Sequence, residues 1–397
     1  MTKSPTNWTL DGLRDRFNDI CHQKRIGWQA ERVFLRTLGV GGQGVVFLSE
    51  RRGSAEFKLP LALKIFSPDR YADATSYKAE MTRLTRVATE VARVQHDQVV
   101  AVQNVVSHQG LYLMEMEWID GYDLQRLLKR DALSGMRKSV PESTWQDINE
   151  NVVTPGAVDS RFRPGTAVNI MRECLNGLSA MHRANIIHCD VKPSNIMVKR
   201  TGSVKLIDIG SGFVKGDLPP GNPCTPEYAA PEVLKGERAT EQSDLASLGY
   251  VLIEIITGSH PFAGLTYAQL RRAKEEILQE LPALLPIEEF AFTEPLMLFL
   301  RRMIHPDPAE RFESAEDAET SDDGAAGFLR QLVKSDLPDQ YERDMRRWIE
   351  RIDPRTDLSQ NLDPTSSASV PQGTTRMLDV RELKLEEFST DGDHPDE

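Results

Sequence analysis

The chain is predicted to be an α+β protein in which a small antiparallel β-rich unit with one main helix precedes a larger, mainly helical unit. Three observations support this. Between residues 33 and 66, the β-forming runs Val33-Phe34-Leu35 and Val45-Val46-Phe47-Leu48 flank a glycine cluster, and Pro60 to Phe66 alternates with period two. A long amphipathic stretch then places Leu84, Val87, Val91 and Val94 on one stripe, and more strand signal runs from Val99 to Met116. Beyond Gly121 the apolar spacing is mainly helical, clearest over Ala167 to Arg183, Glu241 to Thr257, Tyr267 to Leu281 and Glu294 to Ile304.

Bulk properties bound what this architecture can do. With 397 residues, 40% of them hydrophobic, the chain can bury a sizeable core and suits two or three globular units. No stretch approaches the roughly 18 apolar residues of a membrane span; Tyr250 to Ile256 is short and holds Glu254. The N-terminus has no apolar signal core, so a cytoplasmic protein without a membrane partner is expected. Cys21, Cys174, Cys189 and Cys224 lie far apart with no Cys-x-x-Cys pair, which argues against a disulfide framework or a structural zinc site. A net charge of −12 gives no general footprint for nucleic acid, and none is expected as a partner.

Taken in order, residues 1–30 form an N-terminal extension in which Leu10, Leu13, Phe17 and Ile20 sit at helical spacing. That helix either docks on the following domain or serves as an arm for a regulatory protein. Next comes Leu38-Gly39-Val40-Gly41-Gly42-Gln43-Gly44-Val45-Val46. A dinucleotide fingerprint would open a helix after the third glycine and a Walker loop would need Gly-Lys-Ser/Thr, whereas here a β-former run follows. A glycine hairpin between strands lays backbone N–H groups over nucleotide phosphates, the alternative being an ordinary glycine turn. On the next strand Leu61, Leu63 and Ile65 share one face, and Ala62 and Lys64 the other. An ammonium buried there needs anions, namely phosphates plus one helix carboxylate, with Glu80 the first candidate and Glu90 the second; a lysine snorkelling to the surface is the alternative.

Residues 131–165 interrupt the helical pattern with Pro141, Pro155, Gly156 and Pro164 and read as an insertion. Residues 319–353 form a helical C-terminal extension, and 354–397 are too polar and acidic to bury a core, so a disordered tail is expected.

The most informative segment is His188-Cys189-Asp190-Val191-Lys192-Pro193-Ser194-Asn195, followed by Ile196-Met197-Val198, Thr201-Gly202 and Val204-Lys205-Leu206-Ile207-Asp208-Ile209-Gly210. Two short apolar strands flank a turn, and if they pair as a hairpin, Asn195 at the start of one lies beside Asp208 at the end of the other. A carboxylate and an amide oxygen at one point suit a hard cation such as Mg²⁺, whose shell is completed by phosphate oxygens and water. Asp190 is placed to orient a hydroxyl and accept its proton, and Lys192 to steady a γ-phosphate.

Taken together, these segments resemble the protein kinase superfamily, serine/threonine branch, over approximately residues 33 to 315. The resemblance implies a bilobal domain at 31–318, with an N-lobe over about 31–117 and a C-lobe over about 121–318. It also implies a cofactor, ATP with Mg²⁺ or Mn²⁺, and a protein substrate bearing Ser or Thr. Leu38, Gly39, Gly41 and Gly44 match the loop over the phosphates, and Lys64 with Glu80 the catalytic ion pair. Met116 matches the gatekeeper, Glu117 and Ile119 the hinge whose backbone holds adenine, and Asp123 the ribose contact. Val46, Ala62 and Met197 match the apolar positions around the ring. Asp190, Lys192 and Asn195 match the catalytic loop, with Asn195 and Asp208 as metal ligands. Thr225 falls in the substrate-binding segment, Glu232 and Arg311 match a structural ion pair, and Asp244 matches the helix aspartate that braces the catalytic loop. A catalytically silent scaffold of the same fold would usually lack one of these residues, and a small-molecule kinase would lack the Ala230-Pro231-Glu232 segment with its arginine partner.

Two departures bear on control and chemistry. Cys189 replaces the arginine that in many kinases pairs with a phosphorylated activation segment, and a thiol cannot make that pair. Between Asp208 and Glu232 the Ser/Thr hydroxyls are Ser211 and Thr225, so activity is expected not to depend on phosphorylation there. Ile209, in place of the phenylalanine of Asp-Phe-Gly, leaves the metal ligand intact.

Overall fold

The computed structural model describes residues 9–23, 25–27, 31–53, 55–137, 140–217, 223–285, 293–332 and 338–352. The acidic tail expected at 354–397 lies outside them. The N-terminal unit contains α1 (Leu10–Gln23), β1 (Arg25–Gly27), β2 (Glu31–Gly41), β3 (Gly44–Arg52), β4 (Lys58–Phe66), α2 (Ala74–Arg93), β5 (Val102–His108) and β6 (Leu111–Glu117). Its strands form one antiparallel sheet in the order β1-β2-β3-β4-β6-β5. The glycine hairpin closes with Gly41 opposite Gly44. At φ +140° a Cβ on Gly44 would lie 1.9 Å from the Ile65 carbonyl oxygen, so no other residue fits there.

The alternation read in β4 holds. Leu61, Leu63 and Ile65 are fully buried on one face, and Lys64 is on the other. Asp73 caps α2 through a reciprocal box with Ser76, and Leu84, Val87 and Val91 are its buried stripe, with Val94 just past the last turn. α1 buries Leu13, Phe17 and Ile20 against the same unit, packing on β1 and β6. Its apolar face is thus covered from within the chain.

The helical unit runs from β7 (Gly121–Asp123), α3 (Leu124–Leu128), α4 (Arg130–Arg137) and α5 (Glu142–Asn151) through β8 (Val153–Pro155), β9 (Ser160–Phe162) and α6 (Pro164–Arg183). β10 (Ile186–Ile187), β11 (Ile196–Lys199), β12 (Val204–Leu206) and β13 (Phe213–Val214) carry the loops of the site, followed by α7 (Pro231–Leu234), α8 (Glu241–Thr257) and α9 (Tyr267–Leu284). α10 (Thr293–Met303), α11 (Ala315–Thr320), α12 (Ala325–Leu332) and α13 (Pro338–Ile352) complete it. The core is centred on α6 and α8, whose residues are buried on nearly every side.

The described residues of 131–165 carry secondary structure of their own. They build α4, α5 and the β8–β9 hairpin, with Pro141 capping α5, Pro155 ending β8 and Pro164 opening α6. Proline is tolerated at element starts and strand ends, where no ladder bond is lost, so these residues mark boundaries of ordered elements. The C-terminal α13 lies against α4, α5 and α6, burying Trp348 edge-on to Phe162 with ring centroids 5.5 Å apart. No helix of the described residues is long and apolar enough to cross a membrane.

Candidate active site

The hairpin inferred between β11 and β12 is present. Ile196 pairs with Leu206, Met197 with Lys205 and Val198 with Val204, and the Ile207 N–H donates to the Asn195 carbonyl at 2.9 Å. Asn195 therefore stands opposite Ile207, the residue before Asp208, at its open end. Asn195 Nδ2 donates to the Asp190 carbonyl at 2.8 Å and to Asp190 Oδ2 at 3.2 Å, which leaves its amide oxygen as the atom for a cation. No group of three or more His, Cys, Asp or Glu side chains that could hold a metal occurs among the described residues. One carboxylate beside one amide oxygen suits Mg²⁺, which is usually bound through only one or two protein ligands.

Asp190 is 4% exposed and gathers donors. Lys192 Nζ lies 2.8 Å from Oδ2, and Thr225 donates its hydroxyl to Oδ1 at 2.6 Å while accepting from Lys192 Nζ at 2.8 Å. The loop before it is strained at Cys189, whose φ of +65° is unusual for a residue with a side chain. Asp244 of α8 holds that turn. Its carboxylate accepts the His188 and Cys189 backbone N–H groups at 2.9 Å each and lies 2.9 Å from His182 Nε2. His188 is buried and its ring meets the Ile207 carbonyl at 3.1 Å, so it belongs to the scaffold. Burial, with the Asp244 carboxylate nearby, pushes the Cys189 thiol well up, away from the reactive thiolate.

Lys64 reaches the cleft from β4, but the carboxylate it meets is Asp208, at 2.6 Å, together with Gln43 Oε1 at 2.6 Å. Glu80, the expected partner, is bound by Arg83 one turn along α2 at 2.7 and 3.0 Å. Glu90 pairs with Arg93 at 2.7 Å. The expected Lys64–Glu80 pair is therefore not made in this arrangement, because each member has a nearer partner. Arg83 also donates to the Gly212 carbonyl at 2.6 Å, tying α2 to the segment after Asp208. Burial alone would raise the Asp208 pKa, but the Lys64 ammonium and the Gly210 N–H outweigh it and bring it to about 2. Sequence reading missed Gln43 and Arg83. Gln43 was hidden in the glycine motif, and Arg83 stands three residues beyond Glu80, a spacing that could have signalled the competing pair.

Strand register sets the positions expected around the base. Val46 is opposite Lys64, Ala62 opposite Met116 and Met197 opposite Asp123. Met116 is buried, while Val46, Ala62, Ile119 and Met197 are half-buried and Leu38 is exposed at the loop. A Cβ on Gly39 or Gly41 would meet nothing within 4 Å, so the loop there is open. Glu117 donates its N–H to the Ala101 carbonyl at 3.0 Å, and its side chain pairs with Lys205. Asp123 caps α3, accepting the Arg126 N–H at 2.8 Å. Below the cleft, Arg311 grips Glu232 with two bonds of 2.8 Å, and Ser243 donates to the same carboxylate at 2.7 Å.

The profile of the protein kinase domain family matches residues 32–321. The serine/threonine-protein kinase PrkC of Bacillus subtilis is 25% identical over 289 residues, covering 72% of this chain and 39% of that protein. The serine/threonine-protein kinase PknD of Mycobacterium tuberculosis is 28% identical over 289 residues, covering 71% and 38% respectively. PknB of Mycolicibacterium smegmatis, another serine/threonine-protein kinase, is 28% identical over 239 residues, covering 57% and 32%. The chain thus spans less than half the length of these curated relatives.

Proposed function

Because this chain belongs to the protein kinase domain family, we propose that it transfers the γ-phosphoryl group of ATP, bound with Mg²⁺ or Mn²⁺, to Ser or Thr hydroxyls of protein substrates. The observation that carries this reading is the contact of Thr225 with Asp190, in which an alcohol donates to the carboxylate at 2.6 Å while its own oxygen accepts from Lys192 at 2.8 Å. Asp190 can thus orient an acceptor hydroxyl and take its proton, and Lys192 can neutralise charge beside it. Asn195 and Asp208 would hold the metal, Lys64 the phosphates, and the half-buried Val46, Ala62 and Met197 the base. The bound nucleotide supplies the phosphoryl group, and the metal neutralises its charge. The names of the relatives above support Ser or Thr as acceptors.

Asp208 and Lys64 occupy one another in the described arrangement. Use of Asp208 for a cation frees Lys64, and the carboxylate on the facing helix is then Glu80, once it leaves Arg83. Glu80→Gln is accordingly expected to lower kcat/KM by about 10²-fold through loss of Lys64 positioning. Glu90→Gln, which removes only the pair with Arg93, should stay within roughly twofold. Steady-state kinetics of both variants decides between them, and equal losses would remove Glu80 from the site.

Control by phosphorylation of the activation segment is not part of this reading. Ser211 is 3% exposed, and the Thr225 hydroxyl is engaged by Asp190 and Lys192. The test is transfer of labelled γ-phosphate to a generic protein acceptor, with phosphosites mapped in the active enzyme. Ser211→Ala is expected to retain full activity; phosphate on Ser211 whose removal abolishes transfer would overturn this.

A further inference from the structure

Lys274, on α9, is 0% exposed, although the chemistry described so far makes no use of it. It lies on the buried stripe of α9 with Leu270, Ile277 and Leu281, where an apolar residue would be expected. Its Nζ donates to the carbonyls of Pro226, Glu227 and Ala229 at 3.2, 2.7 and 2.6 Å, giving three acceptors for the three N–H bonds of an ammonium. The faces of Tyr250 and Phe262 lie 4.3 and 4.6 Å from the same nitrogen. Burial drives its pKa well down, opposed by the charges of Cys224, Glu227 and Glu232.

The segment that Lys274 gathers begins one residue after Thr225. Within it, the Tyr228 and Ala229 N–H groups both turn back to the Thr225 carbonyl at 3.0 Å. A backbone with three carbonyls converging on one buried nitrogen cannot shift without leaving those carbonyls and that nitrogen unpaired.

We propose that Lys274 is a positioning residue for the protein acceptor: it fixes residues 226–229, and with them Thr225 against Asp190, so that the acceptor chain meets a preformed surface. The proposal rests on the kinase reading. Lys274→Met keeps the length and apolar packing of the side chain and removes all three donors. In the full chain, this variant is expected to raise KM for a peptide acceptor about tenfold while KM for ATP moves less than about twofold. Amide hydrogen exchange at Tyr228 and Ala229 should become faster in parallel. Phe262→Leu removes one ring face and leaves the donors, and should shift the acceptor KM and the exchange the same way by a smaller amount. If Lys274→Met does not fold, this second variant decides. Unchanged exchange at those amides, or an equal rise in KM for ATP, overturns the proposal. Failure of the wild-type chain to transfer phosphate to any acceptor defeats the kinase reading instead, and exchange still reports whether Lys274 holds the loop.

Discussion

Asp190→Asn is expected to lower kcat for phosphoryl transfer by about 10²–10⁴-fold, the range typical of a lost general base, with KM for ATP little changed. Asparagine keeps the shape and buried volume but leaves Lys192 without its counter-charge, so the melting temperature should fall while the fold is retained. What changes is the charge and one oxygen. Asp190 receives Thr225 at Oδ1 and Lys192 and Asn195 at Oδ2, and all three donors suit a carboxylate. An amide nitrogen in place of either oxygen faces a donor with another donor and has no basic lone pair for an acceptor proton. Because the Asp190 carboxylate bonds to Thr225, Lys192 and Asn195 and, among the described residues, not to Val46, Ala62 or Met197, binding and chemistry should separate in the kinetics. Retention of more than about a tenth of wild-type kcat would show that the proton goes elsewhere and would remove Asp190 from the role of base.

The parts of the site legible in the sequence are those fixed over short distances. The β11–β12 hairpin followed from two apolar runs around Thr201-Gly202, and its register sets Asn195 opposite Ile207, one residue before Asp208. Lys64 could be placed on the sparse face of β4 by period-two counting, but its partner could not. Which carboxylate it meets depends on how α2 and the Asp208 turn approach β4, and on the competition of Arg83 for Glu80. The prolines of 131–165 interrupt the helical spacing, and each lies at an element boundary, where its missing N–H costs no bond. Lys274 was invisible for a related reason. In a helix pattern a lysine reads as solvated, and only the tertiary placement of three carbonyls reveals that it is buried.

Arg311→Ala is expected to destabilise the fold by about 3–5 kcal/mol, the cost of leaving a buried charge without its partner. The Arg311 side chain is fully buried, and its guanidinium also donates to the carbonyls of His305 at 2.7 Å and Gln242 at 2.8 Å. These bonds join the turn after α10 to the start of α8, while Glu232 sits in the first turn of α7, directly after the loop that Lys274 holds. Lysine could keep the charge but not the fork, so Arg311→Lys should recover only part of the loss. Burial by itself would raise the Glu232 pKa above its ordinary 4.5, but the two Arg311 bonds and Ser243 bring it below that value. The sign for pH follows. The pair stabilises fully above 4.5, where the unfolded chain carries the carboxylate charged, and the gain is lost as pH falls through the depressed folded value. Urea unfolding of wild type and Glu232→Gln from neutral to acidic pH should therefore converge on acidification. A gap that stayed constant, or an Arg311→Ala loss below about 1 kcal/mol, would show that the pair adds little beyond its packing.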